Sequence, residues 1–329
     1  MTVLSHLAEQ VAELLRDDSR RVLLGEDVTD GGMLGLSREA VADERLREQV
    51  IATPLLPTVM AAHAAGLAAS GRHPIVLLPD AGALVEGLAG LREATAWSWR
   101  NEGAVEVPLL FVAPCGPGLG LGGHATEAPE AMLVRVPGLH VLCAGSAEEA
   151  GAWLRAAVEH AASEGPTVLL LPRSLLLRAP QGPMAHDLGR SPSAAHRVRD
   201  ARGDRGDAGS APVTVLSWGE ALPVALEAVD HAGVDAAVVD LGCLAPLDLP
   251  TVEAELRLTG RAVIVHAGPR AGGVGAELAA HLADASILVL DAPVVRVTGA
   301  GGPLRPADEG DALPTVAQVA EALARVAGY

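Results

Sequence analysis

The sequence predicts an α/β protein built on mostly parallel sheets and divided into two domains. Three observations carry that reading. Short Val- and Leu-rich runs alternate with longer segments of helical periodicity, the order in which parallel strands are joined by crossover helices. Half of the 329 residues are apolar, enough to bury two cores. The pattern breaks off near residue 179 and resumes at Val213.

Apolar side chains at Leu4, Leu7, Val11, Leu14 and Leu15 share one face and predict a helix over 4–17. Arg21–Gly25 reads as a short buried strand. The acidic GEDVTDGG at its carboxyl end lies where open α/β sheets place ligands. Leu56–Ser70 is Ala-rich and helical up to Gly71, Pro74–Leu78 is a strand, and a helix follows over about 83–100. Strand Pro108–Ala113 runs into a glycine-rich loop, PCGPGLGLGGHATEAPEA. Strand Leu139–Cys143, helix Ala147–Ala162 and strand Thr167–Leu171 complete the first unit. Residues 179–212 are rich in Pro, Gly, Ser, Asp and Arg and lose all apolar periodicity, which predicts a flexible linker. The domains expected are therefore 1–180 and 213–329, with a linker over 181–212. In the second unit VTVLSW, AAVVDL, RAVIVH and SILVLD read as strands, separated by helices over 219–231, 250–257 and 274–283.

Composition excludes several functions. The net charge is −17 and every basic residue is Arg, which argues against a binder of nucleic-acid backbones. One Phe, one Tyr and four Trp leave no stacking platform for single strands. Cys115, Cys143 and Cys243 are far apart, without a CxxC or Cys/His cluster, so neither a disulfide framework nor a metal site is expected. The N-terminal segment is acidic and amphipathic, unlike a signal peptide, and no apolar run of about 18 residues could span a membrane. A cytoplasmic protein is expected.

Few motifs stand out. GLGLGG fits the dinucleotide fingerprint by letters at Gly118, Gly120 and Gly123, but it does not open a helix or precede a suitably spaced acid. A flexible, ligand-facing loop is the better reading. His124, at the end of that loop, is either a solvated side chain or a proton-transfer or oxyanion group. His140 begins a strand and His266 ends one, which suits structural roles. Glu26 and Asp27 are either a strand-end turn or a carboxylate pair facing a ligand or partner. Cys115 has no His or Asn near it in sequence and reads as a small hydrophobe. HExxH, GxSxG and Walker A patterns are absent.

The order of segments is specific. VLLGEDVTDGG, VIATPLLP, GLAASGRHPIV, the loop with His124 and VPGLHVLCAGSAEEAGAWLRAAV resemble the β subunit of the E1 component of 2-oxo acid dehydrogenases. VTVLSWGEALPVALEA, VVDLGCLAPLD, GGVGAELAA and LDAPVVRVTGA extend the likeness over nearly the whole chain outside the linker. The resemblance implies two transketolase-like three-layer domains, a pyrimidine-binding one and a C-terminal one. It also implies thiamine diphosphate, with Mg²⁺ and the diphosphate held mainly by a separate E1 α-like subunit in an α2β2 assembly. No GDG…N motif is present here, as expected of half a site.

The departures from the family fall on polar positions. The family reads TPxxE where this chain has Thr53, Pro54, Leu55, Leu56 and Pro57. That glutamate promotes the tautomer of the pyrimidine that activates the thiazolium; proline offers neither acid nor N–H. Glu26 would have to move to replace it. Ala81 and Ala83 stand where pyrimidine-packing aromatics are usual. DLRT becomes Asp240-Leu241-Gly242-Cys243, HEAP becomes His266-Ala267-Gly268-Pro269, and the potassium-loop region near 157–166 carries an insertion. His124 matches the family histidine; the HSQ-type sequence there becomes HATE, with one extra residue before PEA.

By this resemblance the site residues expected are His124 for catalysis, and Glu26, Thr53, Pro54, Pro57, Ala81 and Ala83 around the cofactor. The function implied is decarboxylation of a 2-oxo acid with acyl transfer to a lipoyl or other carrier. Two alternatives follow from the loss of glutamate at Pro57: a diverged acyltransferase partner in specialised metabolism, and a scaffold subunit without catalysis.

Overall fold

A computed structural model describes residues 2–100, 105–201 and 212–329, apart from the side chains of Arg100 and His124. In chain order the helices are α1 (Val3–Asp17), α2 (Arg38–Ala42), α3 (Pro57–Ala69), α4 (Ala81–Glu86), α5 (Leu88–Arg100), α6 (Glu130–Leu133), α7 (Ala150–Glu164), α8 (Arg173–Leu176), α9 (Ala221–Ala232), α10 (Leu249–Thr259), α11 (Val274–Ala285) and α12 (Val316–Ala327). The strands are β1 (Arg21–Gly25), β2 (Val50–Ala52), β3 (His73–Leu77), β4 (Leu110–Cys115), β5 (His140–Cys143), β6 (Thr167–Pro172), β7 (His196–Arg199), β8 (Val213–Ser217), β9 (Ala236–Asp240), β10 (Cys243–Ala245), β11 (Ala262–His266) and β12 (Val295–Thr298).

They form a seven-stranded sheet ordered β10-β5-β6-β4-β3-β1-β2 and a five-stranded sheet ordered β12-β11-β8-β9-β7. All pairings are parallel except β10 with β5 and β7 with β9. Alternation along each strand divides the core. Leu23, Ile75, Leu110 and Leu169 point to one face of the first sheet, beneath α1 and α7. Val22, Val76, Phe111 and Val168 point to the other face, under α3 and α5, in a core continuous with Leu216, Val239 and Ile264 of the second sheet. The far face of the second sheet is covered by α9 and α12. Both domains are thus three-layered, and one core joins them.

Local signals account for most boundaries. Thr2 and Ser5 form a capping box that starts α1, and Thr315 with Gln318 does the same for α12. Pro57 takes the first position of α3, where its missing N–H costs nothing. The expected helix over 83–100 starts two residues earlier and is divided at Gly87 into α4 and α5.

Two expectations change. SILVLD is not a strand: residues 287–289 turn, Leu288 is 96% exposed, and β12 lies further on and pairs Val295 with Val263. A short apolar run carries no period that separates strand from turn. Within the expected linker, His196–Arg199 forms an antiparallel edge strand beside β9, held by backbone pairing that polar side chains do not reveal. Linker residues 202–211 lie outside the described residues. β10 was not foreseen; it carries the chain from the second domain back to the edge of the first sheet.

Candidate active site

β3, β1 and β2 are neighbours, so their carboxyl ends bring the expected cofactor residues to one edge of the first sheet. β1 ends at Gly25, where a Cβ would stand 2.7 Å from the Leu77 carbonyl oxygen. The next turn carries Glu26 and Asp27 into solvent, with Asp27 at φ 54°. Thr53 follows β2; its N–H donates to the Gly25 carbonyl at 3.0 Å, while its hydroxyl is buried without a partner. Pro54 is exposed, whereas Pro57 is buried at the start of α3. Beyond β3, Asp80 caps α4 by accepting the Ala83 N–H at 2.9 Å. Ala81 has no exposed surface and Ala83 retains 6%, so both are core residues of this chain. The turn Gly123–Thr126 packs against α4, which brings the backbone of His124 to the same edge. The side chain of His124 lies outside the described residues.

Among the described residues this edge offers no acid at Pro57 and no aromatic side chain at Ala81 or Ala83. Ala81 is sealed in the core, and the Thr53 hydroxyl is buried without a partner among the described residues. Besides the exposed Glu26 and Asp27, the edge presents an apolar strip: Leu55, Leu56 and Val59 are 39, 54 and 58% exposed.

The glycine loop after β4 departs from its expected role. Its amides at Gly118, Gly120 and Gly122 donate to the Glu309 carboxylate at 3.0, 2.9 and 2.7 Å. Glu309 comes from the turn Pro306–Ala312 of the second domain and is only 6% exposed. Burial opposes its charge, but the amide donors prevail and hold its carboxyl below the ordinary range. A nest of amides that could have held a phosphate is filled by the chain's own acid. Arg173, 1% exposed, donates through Nη1 to the carbonyls of Gly116 and Ala125 and so ties the two ends of the loop.

A buried polar seam continues from there. Trp218 donates from Nε1 to Glu130 at 3.2 Å and stacks on His266, with ring centroids 4.9 Å apart. The Nδ1 of His266 meets the Ala267 carbonyl at 2.6 Å, and its Nε2 is buried without a partner. Burial pushes Glu130 up, and burial with the nearby charge of Glu130 pushes Glu220 up to about 8. Cys115 is fully enclosed, its thiol held neutral by burial first and then by Glu220 and Glu130, which removes it as a nucleophile. Sequence reasoning missed Glu309, Arg173, Glu220 and Trp218. Alternate glycines call for an anion, but nothing in spacing identifies an acid some 190 residues away.

Two parallel-sheet domains meeting in one core, with loops at the strand ends, share the architecture of transketolase-like structures. The transketolase pyrimidine-binding domain family matches residues 1–178, and the transketolase C-terminal domain family matches residues 207–319. The chain is 30% identical to the 2-oxoisovalerate dehydrogenase subunit beta of Pseudomonas aeruginosa, over 99% of this chain and 95% of that one. It is 31% identical to the pyruvate dehydrogenase E1 component subunit beta of Leifsonia xyli, over 95 and 90%. Among solved structures, a split-gene transketolase described as an inactive beta4 tetramer superposes with a TM-score of 0.75 at 19% identity, covering 100% of this chain and 98% of that one. The chain belongs to the transketolase-like family of E1 β subunits of 2-oxo acid dehydrogenases. That family implies thiamine diphosphate, and its β subunits function with an α subunit. Among the described residues no helix is long and apolar enough to cross a membrane.

Proposed function

We propose that this chain is the β-type half of an E1-like heteromer that decarboxylates a 2-oxo acid and passes on the acyl group. A separate α-like subunit binds Mg²⁺ and the diphosphate in an α2β2 assembly in the cytoplasm, with a lipoyl or other carrier as acceptor. The observation that carries this reading is the open edge itself. Leu55, Leu56 and Val59 face solvent at the strand ends where the family seats its cofactor. An exposed apolar strip of this kind suits a subunit contact. The residues assigned to the site are His124 for catalysis, with Glu26, Thr53, Pro54, Pro57, Ala81 and Ala83 forming the β side of the cofactor seat.

The buried Pro57 favours a second reading, in which the chain is a scaffold for an α-like partner and performs no chemistry of its own. Calorimetric titration of thiamine diphosphate with Mg²⁺ into the co-purified complex, followed by assays on 2-oxo acids, separates the two. Binding with turnover is the expected outcome. Binding without turnover of any 2-oxo acid supports the scaffold, and no binding at all removes the catalytic reading.

A further inference from the structure

Two histidines meet at the amino end of the first sheet, opposite the strand ends that carry the expected cofactor residues. His140 opens β5, and His160 lies near the end of α7, the helix that returns the chain to that end of the sheet. The backbone fixes the meeting: the His140 N–H donates at 3.0 Å to the carbonyl of Pro166, just past the helix. His140 is half-buried and His160 is buried.

The rings stand closer than a hydrogen bond between them requires. Nε2 of His160 lies 2.9 Å from Nδ1 of His140, and the ring centroids are 4.6 Å apart with their planes at 72°. A straight N–H···N bond of that length would hold the centroids more than about 5 Å apart. The rings lean together instead, so the lone-pair axes of the two nitrogens converge. Symmetric convergence puts their crossing about 2 Å from each nitrogen, the distance at which imidazole binds zinc.

We propose that Nδ1 of His140 and Nε2 of His160 bind one divalent transition cation of the zinc type, which clips the start of β5 to the end of α7. No outside reactant is needed. The ring whose proton sits between the two nitrogens moves it to its far nitrogen, so that His140 carries its proton on Nε2 and His160 on Nδ1. Among the described residues no three His, Cys, Asp or Glu side chains gather as metal ligands. Two imidazoles are therefore the ligand set this chain offers, and solvent fills the other positions. Imidazole selects zinc, nickel or copper over the oxygen-seeking K⁺ and Mg²⁺.

The surroundings favour a cation. α7 ends at Glu164, so the negative end of its dipole lies beside His160. The Glu164 carboxylate, one turn beyond His160, acts on both imidazoles. With Glu106 and His140 it lines a cleft of about 480 Å³ through which an ion can enter. On the far side of His160 stand Arg155 and Arg190, but both are engaged, the first by Glu13 and Asp17 and the second by Glu149. Burial, and at His160 also the neighbouring His140, disfavours the protonated rings and keeps them in the neutral form that ligates metals.

The test is calorimetric titration of Zn²⁺ into the metal-free protein, with any co-purified subunit, in physiological K⁺ and excess Mg²⁺. One saturable site of micromolar affinity is expected. His140→Gln and His160→Gln should each weaken it about tenfold or more. His63→Gln, at an exposed position of α3, should leave it unchanged. X-ray absorption at the zinc edge, on the wild-type protein with one equivalent of Zn²⁺, should count two imidazole nitrogens at about 2 Å. The proposal is overturned by absence of a saturable site, by unchanged affinity in either histidine variant, by displacement with K⁺ or Mg²⁺, or by a zinc shell with fewer than two imidazoles. If a histidine variant fails to fold, the imidazole count on the wild-type protein decides alone.

Discussion

The two strand-end regions of this chain have opposite chemistry. The edge at β1, β2 and β3, where the family seats its pyrimidine, buries Pro57, Ala81 and Ala83 and exposes Leu55 and Leu56. The junction between the sheets holds Glu130, Glu220, Asp240 and Glu309, all less than a tenth exposed, together with Arg173, Trp218 and His266. Buried charge is costly unless paired or hydrogen-bonded, and such groups persist where they fix one arrangement or bind something. The difference teaches that polar specificity within this chain lies between its domains. Among the described residues the edge buries no comparable group of charges.

The largest effect is expected at the centre of the junction. Arg173→Met leaves the carbonyls of Gly116 and Ala125 without their donor and should destabilise the fold by on the order of 3 kcal/mol in urea unfolding. A loss below about 0.5 kcal/mol would show that the glycine loop holds itself. Glu309→Ala comes next, at about 2 kcal/mol, because the amides of Gly118, Gly120 and Gly122 lose their acceptor. Hydrogen exchange should accelerate at those amides and not in β2, which localises the clamp.

The carboxylates should also separate by the sign of their pH dependence. Glu309 is depressed in the fold, so its contribution is present above the unfolded carboxyl value and lost as pH falls through the folded one. Glu220 is raised to about 8, so the native state holds a proton that the unfolded state releases above about pH 4.5. Its contribution is present in acid and declines as pH rises toward 8, with a slope of up to about 1.4 kcal/mol per pH unit. Glu220→Gln should flatten stability between pH 5 and 8. An unchanged slope would mean that the acid is solvated and ionised throughout.

These two regions were not equally legible in the sequence. Strand positions in the first sheet, the helices that cover it and the edge carrying Glu26, Thr53 and Pro57 follow from local period and from family resemblance. The junction does not. Glu309 meets Gly118, and Trp218 meets Glu130, across distances in sequence that no spacing rule spans. β10 pairs with β5 about 100 residues upstream, and β7 sits in a stretch composed like a linker. Composition instead pointed to an excess of acids. Only the fold shows that the buried ones are gathered between the sheets.

The smallest expected effect on the fold bears on the edge. Pro57 occupies the first turn of α3, a position that accepts an acid well, since carboxylates favour helix N-termini. Its ring is buried beside Gly87, where a Cβ on the glycine would lie 3.2 Å from the Pro57 Cβ, so the new side chain must turn toward the open edge. Pro57→Glu should therefore cost under about 1 kcal/mol of stability. If the edge is otherwise a competent cofactor seat, the same change should raise thiamine-dependent turnover of a 2-oxo acid by the co-purified complex. Leu56→Asp then serves as its counterpart: it should leave the unfolding midpoint of the isolated chain unchanged while weakening subunit association in sedimentation. A folded Pro57→Glu variant with unaltered turnover, in a complex that Leu56→Asp dissociates, would identify the edge as a docking surface whose chemistry has been given up.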